Sequence, residues 1–186
     1  MEDEVHARTV EISQQNRCLK EEVQHRMEAE DALRESEVRF RTMADSAPVL
    51  VFTSTASGER DYSNRRWLSF TGLEETPRVS IPWQIAPWQS AFHPEDLGTY
   101  LSTRDAASRL QEPFSLSYRL RAATGEYRWF LESSAPRFGS DHHFMGFISS
   151  CIDITDIRES QVAMQQAKEA AEQANTIKSE FMANLS

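Results

Sequence analysis

The chain has 186 residues, room for one domain of ordinary size with extensions, and its 39% of hydrophobic residues can build a core although the mean hydropathy of −0.58 marks much of it as solvated. A net charge of −9 argues against nucleic acid, whose phosphates need a basic patch, and no run approaches the roughly 18 apolar residues of a membrane span. The N-terminus lacks the order of a signal peptide, and Cys18 and Cys151 fall in different segments with no disulfide framework, so a reducing, cytoplasmic compartment is expected.

Residues 1–45 contain neither Gly nor Pro and are rich in Glu, Arg, Gln and Ala, which predicts one helix. Its apolar positions are Val5, Ile12, Leu19, Val23, Met27, Leu33 and Val38, with early steps of seven and four as in a coiled-coil seam. Asn16 falls on that seam between Ile12 and Leu19, where a buried Asn favours a defined two-stranded register; the step of six to Leu33 breaks strict periodicity. A helix of about 60 Å at 1.5 Å per residue gains little stability alone, so pairing in a parallel homodimer is expected.

Residues 46–155 hold every Gly and Pro and all four Trp, and the period changes to two. "VLVFT" is apolar on both faces. "NRRWLSFTG" reads as a helix ending at Gly72, and "PEDLGTYLSTRDAASRL" as a second one opening at Pro94, with Glu95 and Asp96 complementing its dipole. "FSLSYRL" places Phe114, Leu116, Tyr118 and Leu120 on one face, "ATGEY" turns at Gly125, and "YRWFLES" returns. In "HFMGFISSCID", alternation sends Phe144 and Ile148 one way and Met145, Phe147 and Cys151 the other. A sheet apolar on both faces must be covered on both: local helices suit one, the N-terminal helix or a second subunit the other.

From Asp156 to Ser186 the helical period returns. Asp156 and Glu159 have capping-box spacing, and Ala163, Ala167, Ala170, Ala174, Ile177 and Phe181 alternate four and three as a seam. Its alanines bury little area. That weakness suits a shifting register, and Ala is equally a good helix former; the sequence leaves both readings open.

Four stretches in order, "YSNRRWLSFTG", "WQSAFHPEDL", "YRLRAATGEYRWFLESSAPRF" and "GFISSCIDITDI", resemble a PAS domain of the PAS fold 3 type over about residues 36–157. The resemblance implies an α+β fold, a five-stranded antiparallel sheet with helices on one face, here flanked by long N- and C-terminal coiled-coil helices. The opening 45 residues are similar to linkers that precede PAS domains in bacterial sensor kinases, and "AKEAAEQANTIKSEFMANLS" is similar to the first dimerisation helix of histidine kinases. In that family the stretch is followed at once by the phosphoacceptor His. The resemblance therefore implies a sensory relay that controls histidine autophosphorylation, with downstream kinase domains and a response regulator as partners. A small-molecule chemoreceptor domain and a purely structural dimeriser are the alternatives.

No nucleotide-binding Gly-rich loop, phosphoacceptor context or nucleophile elbow occurs, so no catalytic residue is expected in this chain. His93 lies in "HPED", where it opens a helix, which weighs against a haem ligand; His142 and His143 are adjacent turn residues with poor metal geometry. Covalent flavin is disfavoured because the "NCRFLQ"-like helix of that branch is missing, which leaves Cys151 as a small strand residue. Trp67, Phe70, Trp83, Trp88, Tyr118, Trp129 and Phe147 surround the family's usual ligand space; they read first as core, and if they line a pocket they suit a small apolar molecule. Asp153, Ile154 and Thr155 join the last strand to the exit helix, where their side chains can fix its angle and carry a signal.

Overall fold

The computed structural model describes the backbone of residues 2–73 and 87–184, and the side chains of 14–73, 88–180 and 182. It separates into two compact units, Met1–Ser46 and Ala47–Ser186. The first is helix α1 (Glu2–Ser46), free of helix breakers as its composition requires. Leu19, Val23, Met27, Leu33 and Val38 are exposed along it, Leu33 by 71%. Ion pairs spaced four apart lace its surface, Glu35–Arg39 at 2.7 Å and Glu37–Arg41 at 3.1 Å among them.

The second unit is built on five antiparallel strands in the order β2-β1-β5-β4-β3: β1 (Leu50–Ser54), β2 (Arg60–Ser63), β3 (Phe114–Arg121), β4 (Tyr127–Phe138) and β5 (Phe144–Asp153). Helices α2 (Arg65–Thr71) and α3 (Pro94–Leu110) and a short 3-10 turn (Pro87–Ala91) accompany the sheet. The expected helix signals are realised. Asn64 caps α2 by accepting from the Trp67 amide, and Gly72 ends it in the left-handed conformation. Pro94 lies in the first turn of α3, which His93 caps by accepting from the Glu95 amide on Nδ1.

One face of the sheet is the core face. Leu50, Phe52, Tyr118, Leu120, Phe130 and Cys151 are buried there with Trp67, Trp88, Phe92 and Tyr100 from the helical side. Their rings interlock edge to face or stacked, Phe92 on Tyr118 at 4.6 Å between centroids and Phe52 on Trp67 at 5.3 Å. Trp129, Leu131 and Ile148 lie on the opposite face with Ile152, which is 50% exposed.

Two local expectations fail. Met145 is 42% exposed, while the Phe144 ring meets Phe147 at 5.3 Å, the reverse of the pairing that alternation predicts. The reason lies at Gly146, whose φ of 116° breaks the extended backbone where the β4–β5 register shifts. The capping box expected at Asp156 is not formed either. Helix α4 (Thr155–Asn184) starts one residue earlier, with Ile154 O accepting the Arg158 amide at 2.9 Å.

Gly146 sets a demanding test of the sheet. A Cβ there would overlap the Ser54 carbonyl oxygen of the paired strand, on top of the unfavourable φ. Gly146→Ala is expected to cost on the order of 3 kcal/mol of stability, read as a lowered midpoint in urea denaturation.

Candidate functional site

The exit from β5 into α4 is held by side chains and backbone of β4. The Trp129 carbonyl accepts the Ile154 amide at 2.8 Å, and the Trp129 amide donates to Thr155 Oγ1 at 2.9 Å. Asp153 Oδ1 in turn accepts the Thr155 amide at 3.0 Å, an Asx-type contact that turns the chain from strand to helix. Arg128 spans the same corner, with Nε 2.7 Å from Asp153 and Nη2 3.1 Å from Asp156. Desolvation pulls the Arg128 pKa down, but the Asp153 and Asp156 carboxylates hold it above the ordinary value.

Trp129 extends this joint across the sheet. The Arg158 guanidinium of α4 lies 3.9 Å from its ring centroid, and that of Arg119 on β3 lies 5.2 Å away. Arg119 is itself clamped by α3: Nη2 is 2.8 Å from Glu95 and 2.8 Å from Asp96, and its backbone amide donates to Asp96 at 2.8 Å. The side-chain hydrogen bonds from Arg119 hold both carboxyls below their usual range. A continuous chain of contacts thus runs from the start of α3 through Arg119 and Trp129 to the first turn of α4.

Behind the joint, the core face carries a polar network. Glu132 is 0% exposed, accepts from Tyr118 Oη at 2.5 Å and Ser134 Oγ at 2.6 Å, and Ser134 meets Ser149 at 2.5 Å. Tyr118 Oη is also 3.3 Å from Cys151 Sγ. Burial pushes the Glu132 carboxyl up, and burial likewise raises the Tyr118 hydroxyl and Cys151 thiol well above their ordinary values. Arg60 lies over Phe52 and Trp67 at 3.8 and 4.0 Å, and its buried Nη1 has no hydrogen-bond partner among the described residues. Desolvation lowers its pKa.

The sequence-derived sites divide accordingly. Asp153, Ile154 and Thr155 meet in one corner, but the residues that hold them, Arg128 and Trp129, were not among the transmission residues expected. Trp129, expected among the pocket aromatics, takes a place in the register on the other face of the sheet from Tyr118. Trp67, Trp88 and Tyr118 share the core, with Phe70 packed against it, whereas Phe147 contacts Phe114 and Phe144. Trp83 and the side chains of Ile12 and Phe181 lie outside the described residues. Asn16 and the alanines at 163, 167, 170 and 174 are exposed in the single chain, as is Ile177. Among the described residues no group of three or more His, Cys, Asp or Glu could hold a metal ion, and no helix is long and apolar enough to cross a membrane.

A five-stranded antiparallel sheet in the order β2-β1-β5-β4-β3, with helices packed on its core face and an exit helix anchored to β4, defines the class of fold. Residues 60–151 match the family described as the PAS fold, and the chain carries a PAS domain of that family. It is 36% identical over 141 residues to the uncharacterized protein y4lL of Sinorhizobium fredii, covering 76% of this chain and 16% of that protein. It is 23% identical over 165 residues to the peroxide stress-activated histidine kinase mak1 of Schizosaccharomyces pombe, covering 86% of this chain and 10% of that one. The chain therefore spans about a sixth or less of the length of these relatives. Its fold resembles that of a sensory box histidine kinase/response regulator from Burkholderia thailandensis, with a TM-score of 0.52, 19% identity, and 73% of this chain and 98% of that one covered.

The raised pKa of Glu132 gives the network a pH signature. Stability from a group whose folded pKa is raised is full below its unfolded pKa and is lost as pH rises through the folded one. The native protein should therefore lose thermal stability as pH rises above the ordinary carboxylate range, and Glu132→Gln, which cannot ionise, should flatten that loss. Unfolding midpoints recorded across pH for both proteins will show parallel curves if the Glu132 pKa is the same in the folded and unfolded protein.

Proposed function

We propose that this chain is the signal-relay module of a histidine kinase, in which the PAS domain sets the position of α4 and thereby controls histidine autophosphorylation. The observation that carries this reading is the corner where β4 grips the start of α4 through Trp129, Arg128, Asp153 and Thr155. A helix that leaves a sheet through directed hydrogen bonds and ion pairs must follow that sheet when its packing changes. Ring contacts at Trp129 extend this grip to α3, so a rearrangement on the helical side has a physical path to the exit. The names of mak1 and the Burkholderia protein support the kinase context.

The module acts as a parallel homodimer. Leu19, Val23 and Met27 expose 59%, 49% and 55% of their surface on α1, and Ile177 exposes 66% on α4. Apolar stripes of this spacing on long helices are stabilised by burial against a like helix. The homodimer would be joined on both sides of the PAS domain, with α1 paired before it and α4 paired toward the kinase core. A stimulus then selects between two arrangements of the α4 pair.

Two outcomes follow. In a full-length kinase carrying this module, Thr155→Ala and Arg128→Ala should each change the ratio of autophosphorylation with and without stimulus by several-fold, corresponding to about 1 kcal/mol for a hydrogen bond or ion pair at the joint. An unchanged ratio in both would remove the joint from the mechanism. Leu19→Glu with Met27→Glu should move the 186-residue chain toward the monomer in multi-angle light scattering, leaving the circular dichroism of the sheet intact.

A further inference from the structure

Beside the joint, and sharing Asp153 with it, is a cavity of about 300 Å³. Its apolar floor is Leu50, Phe70, Phe130 and Cys151, and its rim includes Arg66 and Asp153. Phe70 and Phe130 meet edge to face at 4.9 Å, which makes one wall a fixed aromatic corner. The two rim charges have opposite signs yet form no pair with each other. Asp153 is paired with Arg128, whereas the exposed Arg66 makes no hydrogen bond or ion pair among the described residues.

Asp153 keeps acceptor capacity. One oxygen takes the Thr155 amide and the other faces Arg128 Nε, but an ionised carboxylate offers about four lone-pair sites. A purely apolar ligand would satisfy the floor but leave Arg66 unanswered and the remaining acceptor capacity of Asp153 unused. A simple anion would meet Arg66 and be opposed by Asp153; a simple cation would suffer the converse. The arrangement that satisfies every part is one molecule carrying both charges and an apolar body.

We propose that this cavity binds a small zwitterion of the α-amino acid class with an aliphatic or aromatic side chain. Its carboxylate is taken by Arg66, its ammonium by Asp153, and its side chain by the floor of Leu50, Phe70, Phe130 and Cys151. The volume is at the lower end of the range for small-molecule sites, which suits a ligand of that size. Because Asp153 also holds the first amide of α4, occupancy would bear directly on the exit helix. That consequence rests on the relay reading above; the binding does not.

Isothermal titration calorimetry on the 186-residue chain tests the binding, with L-leucine and L-phenylalanine as probes. Isocaproate, which lacks the ammonium group, and isoamylamine, which lacks the carboxylate, are the comparison ligands. Saturable binding of at least one probe is expected, weaker by about tenfold or more for both comparison ligands and in Arg66→Ala, because each leaves a rim charge unanswered. Arg66→Lys should restore most of the affinity. Ser69→Trp, at an exposed position of α2 that lines the cavity, should abolish binding while leaving the thermal midpoint within a few degrees of the parent's. Absence of saturable binding by either probe overturns the proposal, as does equal affinity for the single-charge ligands, or affinity unchanged in Arg66→Ala or in Ser69→Trp. Such a result leaves the relay standing, since the Arg128 and Thr155 measurement depends on kinase activity and not on these ligands.

Discussion

Between the pairs Phe130–Asp153 and Phe138–Phe144, β4 and β5 run antiparallel, and this register decides which side chains face the core and which the other side of the sheet. It sets Glu132 opposite Cys151 and Ser134 opposite Ser149, so the polar network is a cross-strand row on the core face. It also brings the end of β5 level with Trp129, so that the backbone of β4 is in place to receive Ile154 and Thr155. A slip of one residue would turn Glu132 out of the core and dismantle the corner together.

The core and the joint adjoin through a single strand, β4. Phe130 packs against Phe70 on the core side, while the adjacent Trp129 bears on Arg119 and Arg158 on the other. Neighbouring residues of one strand necessarily report to opposite faces of the sheet. What differs between the faces is chemistry: the core holds aromatic rings and the buried Glu132 carboxyl, whereas the joint is made of ion pairs and directed hydrogen bonds. Charged groups at partly exposed positions exchange partners at modest cost, which suits the relay role proposed for this corner.

Much of this organisation was legible from residue order. Pro94 with Glu95 and Asp96 announced α3, Gly72 the end of α2, Gly125 the hairpin turn, and the unbroken helix formers both flanking helices. The four PAS-like stretches pointed to the sheet. Other features were out of reach. The Met145 and Phe144 exchange depends on the conformation of Gly146, which alternation cannot anticipate. Trp129 was grouped with the other aromatic residues because composition does not distinguish a ring in the core from one bearing an arginine on the far face of the sheet. Asp156 has capping-box spacing, but Arg128, far away in sequence, engages it instead.

The sequence by itself determined the local elements and the apolar faces, because periodicity, caps and turn residues act over a few positions of chain. Only the tertiary structure decided which of those residues meet. Arg128 and Trp129 reach Asp153–Asp156 across 25 or more positions, and Arg119 reaches the start of α3 across 23 or 24; such contacts follow from strand pairing rather than from local preference. The burial of Glu132 is of the same kind: a charged residue in an alternating strand has no local sign of facing inward until Tyr118, Ser134 and Ser149 are placed around it.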